Sequence, residues 1–332
     1  MKKRKLLSLA IVPALMAGAL AGCSDSSTAT EDPTGTEVEE STTTAPTEVS
    51  VDRAYEGEIP EIGGEWGKSV TFTPTDAAEP ETVVARTLIE GDGEEIKPDD
   101  VVAAHYHGTL WDGSVFDSTF ENAPEGKNSE PLVFSLNQVI QGWKYGLSNQ
   151  RVGDRVELVI PSQYGYGEAG AGDRIPGGAT LVFVVDLVGK LDLTDVSALS
   201  EAEETGEKAP AGISIEGPLG EKPTIAFDHD AKAPEEPIAI VLAEGKGKKV
   251  TETDVVSYHY AFAPWGQDDR SGSTWDSGVA EYTPQAVGQL VGLYGMNVGS
   301  RVLTIHPAPD DPAGAVLFVL DITGAMDVAP VK

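Results

Sequence analysis

The second half of the chain copies the first. Gly91-Asp92-Gly93 returns as Gly245-Lys246-Gly247, Val101-Val102 as Val255-Val256 and His105-Tyr106 as His259-Tyr260, all at an offset of 154 that Pro80 and Pro234 also keep. Further on, Val152-Gly153-Asp154-Arg155-Val156 returns as Val298-Gly299-Ser300-Arg301-Val302 at an offset of 146. Ala179 to Asp186 returns as Gly314 to Asp321 at 135. A repeat of roughly 150 residues is the size of one domain, and 332 residues hold two of them. Two folding units of one plan are therefore expected, and a shrinking offset marks where the second has lost chain.

Inside the first unit the patterning is mostly that of strands. Val83 to Leu88, Val101 to Leu110, Ser114 to Ser118, Leu132 to Leu136, Arg155 to Ile160 and Ala179 to Leu187 read as strands, with turns at Gly91-Asp92-Gly93 and Asp112-Gly113. Only Val139, Ile140, Trp143 and Leu147 recur at helical steps, predicting about two turns of helix with those side chains along one face. Gly165 to Gly170 matches GxGxxG, but Pro161 separates it from the preceding strand and no helix pattern follows, so no dinucleotide site is expected. His105 and His107 read as a surface pair on one strand face rather than metal ligands, and no metal or cofactor is expected.

The amino terminus reads as an export signal. Residues 1–22 combine Lys2, Lys3, Arg4 and Lys5 with an apolar run from Leu6 to Leu20, and Leu20-Ala21-Gly22-Cys23 resembles the bacterial lipobox. Cys23 is the sole cysteine, which suits lipid attachment and rules out an internal disulfide. Residues 23–60 are rich in Ser, Thr, Glu, Asp and Pro and are expected to be a disordered tether. A formal net charge of −31 disfavours nucleic acid and anionic lipid surfaces. The expected location is the outer side of a bacterial cell membrane, reached through a lipid on Cys23.

Tyr106, Phe116-Asp117-Ser118, Val139-Ile140-x-Gly142-Trp143, Val152-Gly153, Tyr164-Gly165-Tyr166-Gly167 and Ile175-Pro176 through Phe183 occur in one order over about Val83 to Leu191. This string resembles the FKBP-type peptidyl-prolyl isomerases. The resemblance implies an α+β fold, a twisted antiparallel sheet wrapped around one short helix, here in two tandem FKBP-like domains. The expected boundaries are 61–192 for the isomerase domain, 193–210 for a linker and 211–328 for the second copy. It implies an apolar pocket with Trp143 as floor. Phe116, Val139, Ile140, Ile175 and Phe183 would complete the substrate-binding wall, with Tyr106, Asp117 and Tyr166 as its polar, catalytic members. Proline-containing polypeptides, unfolded or newly exported, would be the partners, and macrolides are candidate ligands. Leu132, at a position commonly aromatic in the family, the acidic loop Glu121 to Glu130 and Gly172-Asp173-Arg174 depart from the family pattern and bear on specificity.

In the second copy, Tyr260, Trp275-Asp276 and Phe318 are read as standing for Tyr106, Phe116-Asp117 and Phe183. Trp143 aligns with Gln289 and Val139-Ile140 with Gln285-Ala286, while about eleven residues are missing from the loop that carries Tyr166 and Ile175. This copy is expected to be catalytically silent, a spacer or a surface for clients. A non-catalytic chaperone binding proline-containing segments through both copies is the rival to an enzyme.

Overall fold

A computed structural model describes residues 49–120, 130–228, 230–267, 270–283, 293–308 and 314–328. The expected signal, Cys23, most of the tether, residues 121–129 of the acidic loop, His229, and Gln285, Ala286 and Gln289 lie outside the described residues.

The first lobe comprises β1 (Val51–Asp52), β2 (Glu61–Gly63), β3 (Thr71–Thr73), β4 (Val83–Ile89), β5 (Val101–Leu110), β6 (Val115–Ser118), β7 (Leu132–Ser135), α1 (Gln141–Leu147), β8 (Arg155–Ile160) and β9 (Leu181–Leu191). The second comprises β10 (Glu203–Glu204), β11 (Ile213–Glu216), β12 (Thr224–Phe227), β13 (Ile238–Glu244), β14 (Asp254–Pro264), β15 (Gly272–Ser273), β16 (Glu281–Tyr282), β17 (Arg301–Ala308) and β18 (Gly314–Asp327). The first sheet runs β1-β4-β8-β9-β5-β6, with β7 also on β5. The second runs β10-β13-β17-β18-β14-β15, with β16 also on β14, so the strand order repeats element for element. Each lobe adds a separate two-stranded hairpin, β2-β3 or β11-β12. With α1 the only α-helix among the described residues, the fold is α+β and sheet-dominated.

Trp143 and Leu147 sit on the buried stripe of α1 with Gly142 and Gly146, which lets the helix lie against β8. The helix is shorter than its periodicity predicts. Val139 and Ile140 precede it in extended conformation, Ile140 as its N-cap. Both are β-branched, and an extended backbone leaves their side chains free to face the same cavity as Trp143. The main core of the lobe lies between α1 and the sheet, from Val83, Val102 and Leu136 to Leu158, Ile160 and Val185.

Three further expectations are corrected. The tether does not extend to residue 60: Val51 and Asp52 pair in parallel with Val83 and Val84, and Val49 and Val51 pack on the core. Two valines two residues apart suffice to face one side of an edge strand. The expected linker 193–210 belongs partly to the second lobe, because Leu199 is fully buried and Glu203 and Glu204 pair with Glu244 and Ala243. Finally, His105 and His107 are buried rather than on the surface, because the β2-β3 side of the sheet is itself covered.

Candidate functional site

The sheet and helix bring together side chains that are far apart in sequence. Tyr106 comes from β5, Phe116 and Asp117 from β6, Val139 and Ile140 from the segment before α1, Trp143 from α1, Tyr166 and Ile175 from the loop between β8 and β9, and Phe183 from β9. All nine line a single cavity of about 810 Å³. Trp143 lies only 6% exposed at its base, while Tyr166 at the mouth is 42% exposed. The ring of Trp143 meets Phe183 edge-on at 5.0 Å, Phe134 at 5.1 Å and Tyr106 at 5.5 Å, and Phe116 meets Phe183 edge-on at 5.4 Å. Edge-to-face pairs of this kind fix ring orientation as well as burying area. The indole N–H of Trp143 is buried without a hydrogen-bond partner among the described residues.

The polar side of the bowl is narrow. Tyr106 donates its hydroxyl to Asp117 Oδ2, and Asp117 Oδ1 accepts from the Ser118 amide at 3.0 Å. Burial, reinforced by that bond to Asp117, pushes the Tyr106 phenol up from its ordinary value and keeps it protonated. Among the described residues, no group of three or more His, Cys, Asp or Glu side chains is placed to hold a metal ion.

Sequence reasoning missed two parts of this site, Phe134 and Arg53, while Asp173 and Arg174 stand at the loop tip it marks as bearing on specificity. Phe134 packs on Trp143 from β7, two residues beyond Leu132, and both line the cavity. The period-two alternation of Leu132-Val133-Phe134 was the available signal. Asp173 and Arg174 bring charges to the mouth. Arg53 donates to the carbonyls of Gly146 at 3.2 Å and Tyr145 at 3.1 Å, and also to that of Ser148, so it caps the C-terminal turn of the helix that carries Trp143.

Gly108 explains how the rings fit. A Cβ on it would come within 2.7 Å of the Phe116 ring and 2.9 Å of Phe183. The residue at the same register of the second sheet is Phe262, opposite Phe318 as Gly108 is opposite Phe183. Its ring centroid lies 5.8 Å from that of Phe318.

Register also corrects the alignment of Trp275-Asp276. Thr119 Oγ1 accepts from the Tyr106 amide at 2.8 Å, and Thr274 Oγ1 accepts from the Tyr260 amide at 2.9 Å. His105 lies against Phe120 with ring centroids 5.3 Å apart, and His259 stacks on Trp275 at 3.9 Å. Trp275 thus answers Phe120, and Gly272, paired with Phe262, answers Asp117. Both lobes have an aromatic next to a carboxylate, but the strand register places the second pair four residues off the first.

The sequence profile described as FKBP-type peptidyl-prolyl cis-trans isomerase matches residues 92–188, which include all nine of the cavity residues expected from the sequence. The "FK506-binding protein 2" of Debaryomyces hansenii is 42% identical over 110 residues, 32% of this chain and 72% of that protein. The chain belongs to the FKBP family of peptidyl-prolyl cis-trans isomerases. The FKBP named "FK506-binding protein 2B" of Rhizopus delemar is 52% identical over 92 residues, 27% of this chain and 41% of that one. A solved structure, FkpA from Escherichia coli, is 40% identical over 33% of this chain and 48% of its own, at a TM-score of 0.30. The chain spans well under two thirds of the length of the Rhizopus FKBP, and the family match ends before the second sheet begins.

Proposed function

We propose that the first lobe is a peptidyl-prolyl cis-trans isomerase acting on X-Pro bonds of exported proteins. The observation that carries this reading is the convergence of all nine residues on one aromatic bowl floored by Trp143. An X-Pro bond rotates slowly because twisting it breaks amide resonance, against a barrier of ~18–20 kcal/mol. No covalent step is needed. The rings of Trp143, Phe116 and Phe183 with Ile175 seat the proline and strip water from the imide, which favours the less polar, twisted state. Tyr166, exposed at the mouth, donates to a substrate carbonyl, while Tyr106, held protonated, fixes the Asp117 carboxylate as the polar wall. Each ~1.4 kcal/mol of preference for the twisted state gives tenfold in rate. The same bowl suits macrolides as competing ligands.

The second lobe, on this reading, is a degenerate FKBP-like copy. Phe262 occupies the space that Gly108 leaves open, Gly272 removes the carboxylate, and β17 and β18 pair out to Ala308 and Gly314 where the first lobe carries its long loop. A lipid on Cys23 and a polar tether hold both lobes outside the cytoplasmic membrane, where newly exported polypeptides are the clients.

A proline-limited refolding assay on the chain from Ser24 onward tests the activity, with Trp143→Ala, Asp117→Val and Tyr166→Ala beside wild type. Wild type should accelerate the slow phase and each variant should lose part of that rate. Binding of the unfolded substrate without acceleration would replace the enzyme with a holding protein. Mass spectrometry of the membrane-extracted protein tests the anchor: an unmodified Cys23 refutes it.

A further inference from the structure

The two lobes meet through the same surface of each. Val101 stands opposite Leu191 where β5 pairs with β9, and Val255 stands opposite Met326 where β14 pairs with β18. These four side chains form one buried cluster with Ala103 and Val328. The contact is reciprocal. A Cβ on Gly189 would lie 2.6 Å from Met326 Cγ, and a Cβ on Gly324 would lie 3.1 Å from Leu191 Cδ2. Gly189 is opposite Ala103 and Gly324 opposite Ser257, which are matching positions in the repeat. Each lobe therefore offers the same glycine to the same long side chain of the other, as the halves of an isologous dimer do. The Ala280 amide adds a 2.8 Å hydrogen bond to the Leu193 carbonyl across the junction.

This contact reaches the cavity through one strand. Side chains alternate along β7, so Leu132 and Phe134 line the cavity while Val133 packs into the cluster between the lobes. Among the described residues, β7 is short and pairs with β5 alone. We infer that the second lobe is a built-in dimer partner of the first, and that by completing the cluster against which Val133 packs it holds the β7 wall of the cavity in place. This gives the silent copy a task that needs no pocket of its own, and it explains why its sheet was kept while its cavity residues changed. The bracing stands apart from the chemistry of the cavity; only the kinetic arm below rests on the isomerase reading.

Hydrogen exchange on the whole chain from Ser24 tests it, using Met326→Glu to open the contact and Met326→Ala as a milder variant that keeps the lobe folded. Exchange at the β7 amides, 132–135, should rise about tenfold or more in Met326→Glu and less in Met326→Ala, with α1 and β8 still protected. In the refolding assay, KM should rise with little change in kcat. β7 amides as protected as in wild type in both variants overturn the proposal, and so does exchange that rises equally across β7, α1 and β8 in both. A wild type without isomerase activity refutes the catalytic reading alone, because the exchange result stands without it.

Discussion

On the hairpin side of the first sheet, Arg86, Glu157 and His107 lie in one register row, and Glu157 is fully buried with Arg86 at 2.7 Å. The second sheet has Ile240, Leu303 and Ala261 in the same row, packed with Val319 in an apolar cluster under β11-β12. One feature of that side is common to both. Arg155 forms a two-bond pair with Asp186 at 2.6 and 2.7 Å and reaches the hairpin at the Lys68 carbonyl. Arg301 pairs with Asp321 at 2.7 and 2.8 Å and reaches the carbonyls of Gly217, Pro218 and Glu221. Both arginines are buried, and both pin a hairpin loop to a sheet. The two lobes share what holds each sheet to its hairpin and differ where the first lines its cavity, Phe262 standing at the register of Gly108 and Gly272 at that of Asp117. Scaffold and site are thus separable in one chain.

The largest expected effect tests the shared part. Arg155→Ala and Arg301→Ala each strand a buried aspartate and should each cost about 3–5 kcal/mol in chemical denaturation. A cost in one lobe only would break the equivalence. The next tests the part that differs. Gly108→Phe gives the first lobe the residue of the second, where even a Cβ would press on Phe116 and Phe183. It should destabilise by about 1–3 kcal/mol and abolish acceleration in the refolding assay. Activity retained in a folded Gly108→Phe would show that the ring-lined space is not the site.

A smaller effect, about 1 kcal/mol, is expected from Arg53→Ala, which uncaps the last turn of α1. Tryptophan fluorescence should report a shift at Trp143, and Arg53→Lys should restore much of it because a cation remains near the same carbonyls. The smallest is set by pH. Burial holds His105 in the first lobe, and His259 and His306 in the second, below the ordinary histidine value, while Asp186 opposes the effect on His105. A lowered value means that the unfolded chain binds protons first as the pH falls. The stability these groups contribute is complete above pH ~6.5 and lost as the pH falls from there through their lowered values. Melting followed from pH 7.5 to 5 should show the second lobe losing more than the first; an equal loss would remove this distinction.

Much of the first lobe was legible in order along the chain. The limits of β5 and β8 were readable because alternating apolar residues flanked by turns leave little freedom of register. The nine cavity residues were readable through the family resemblance, since no local pattern relates Tyr106 to Trp143. Phe134 and Arg53 were not found: one is an ordinary strand aromatic until Trp143 packs on it, and the other lies in a stretch too polar to suggest a fold. The Trp275 assignment failed because similarity of residue types cannot fix the register of a two-residue strand such as β15.

By itself the sequence determined that a plan of residues occurs twice along the chain and that the first occurrence carries an aromatic set at one spacing. Only the tertiary structure decided that Phe262 fills the space over Gly108, that the buried Arg–Asp pair recurs, and that Gly189 and Gly324 exchange partners between the lobes. Periodicity records which face of a strand is buried, and that is a local property. Which side chain fills a given space depends on strand register and on approach between segments more than a hundred residues apart, and these are set only when the sheets have formed.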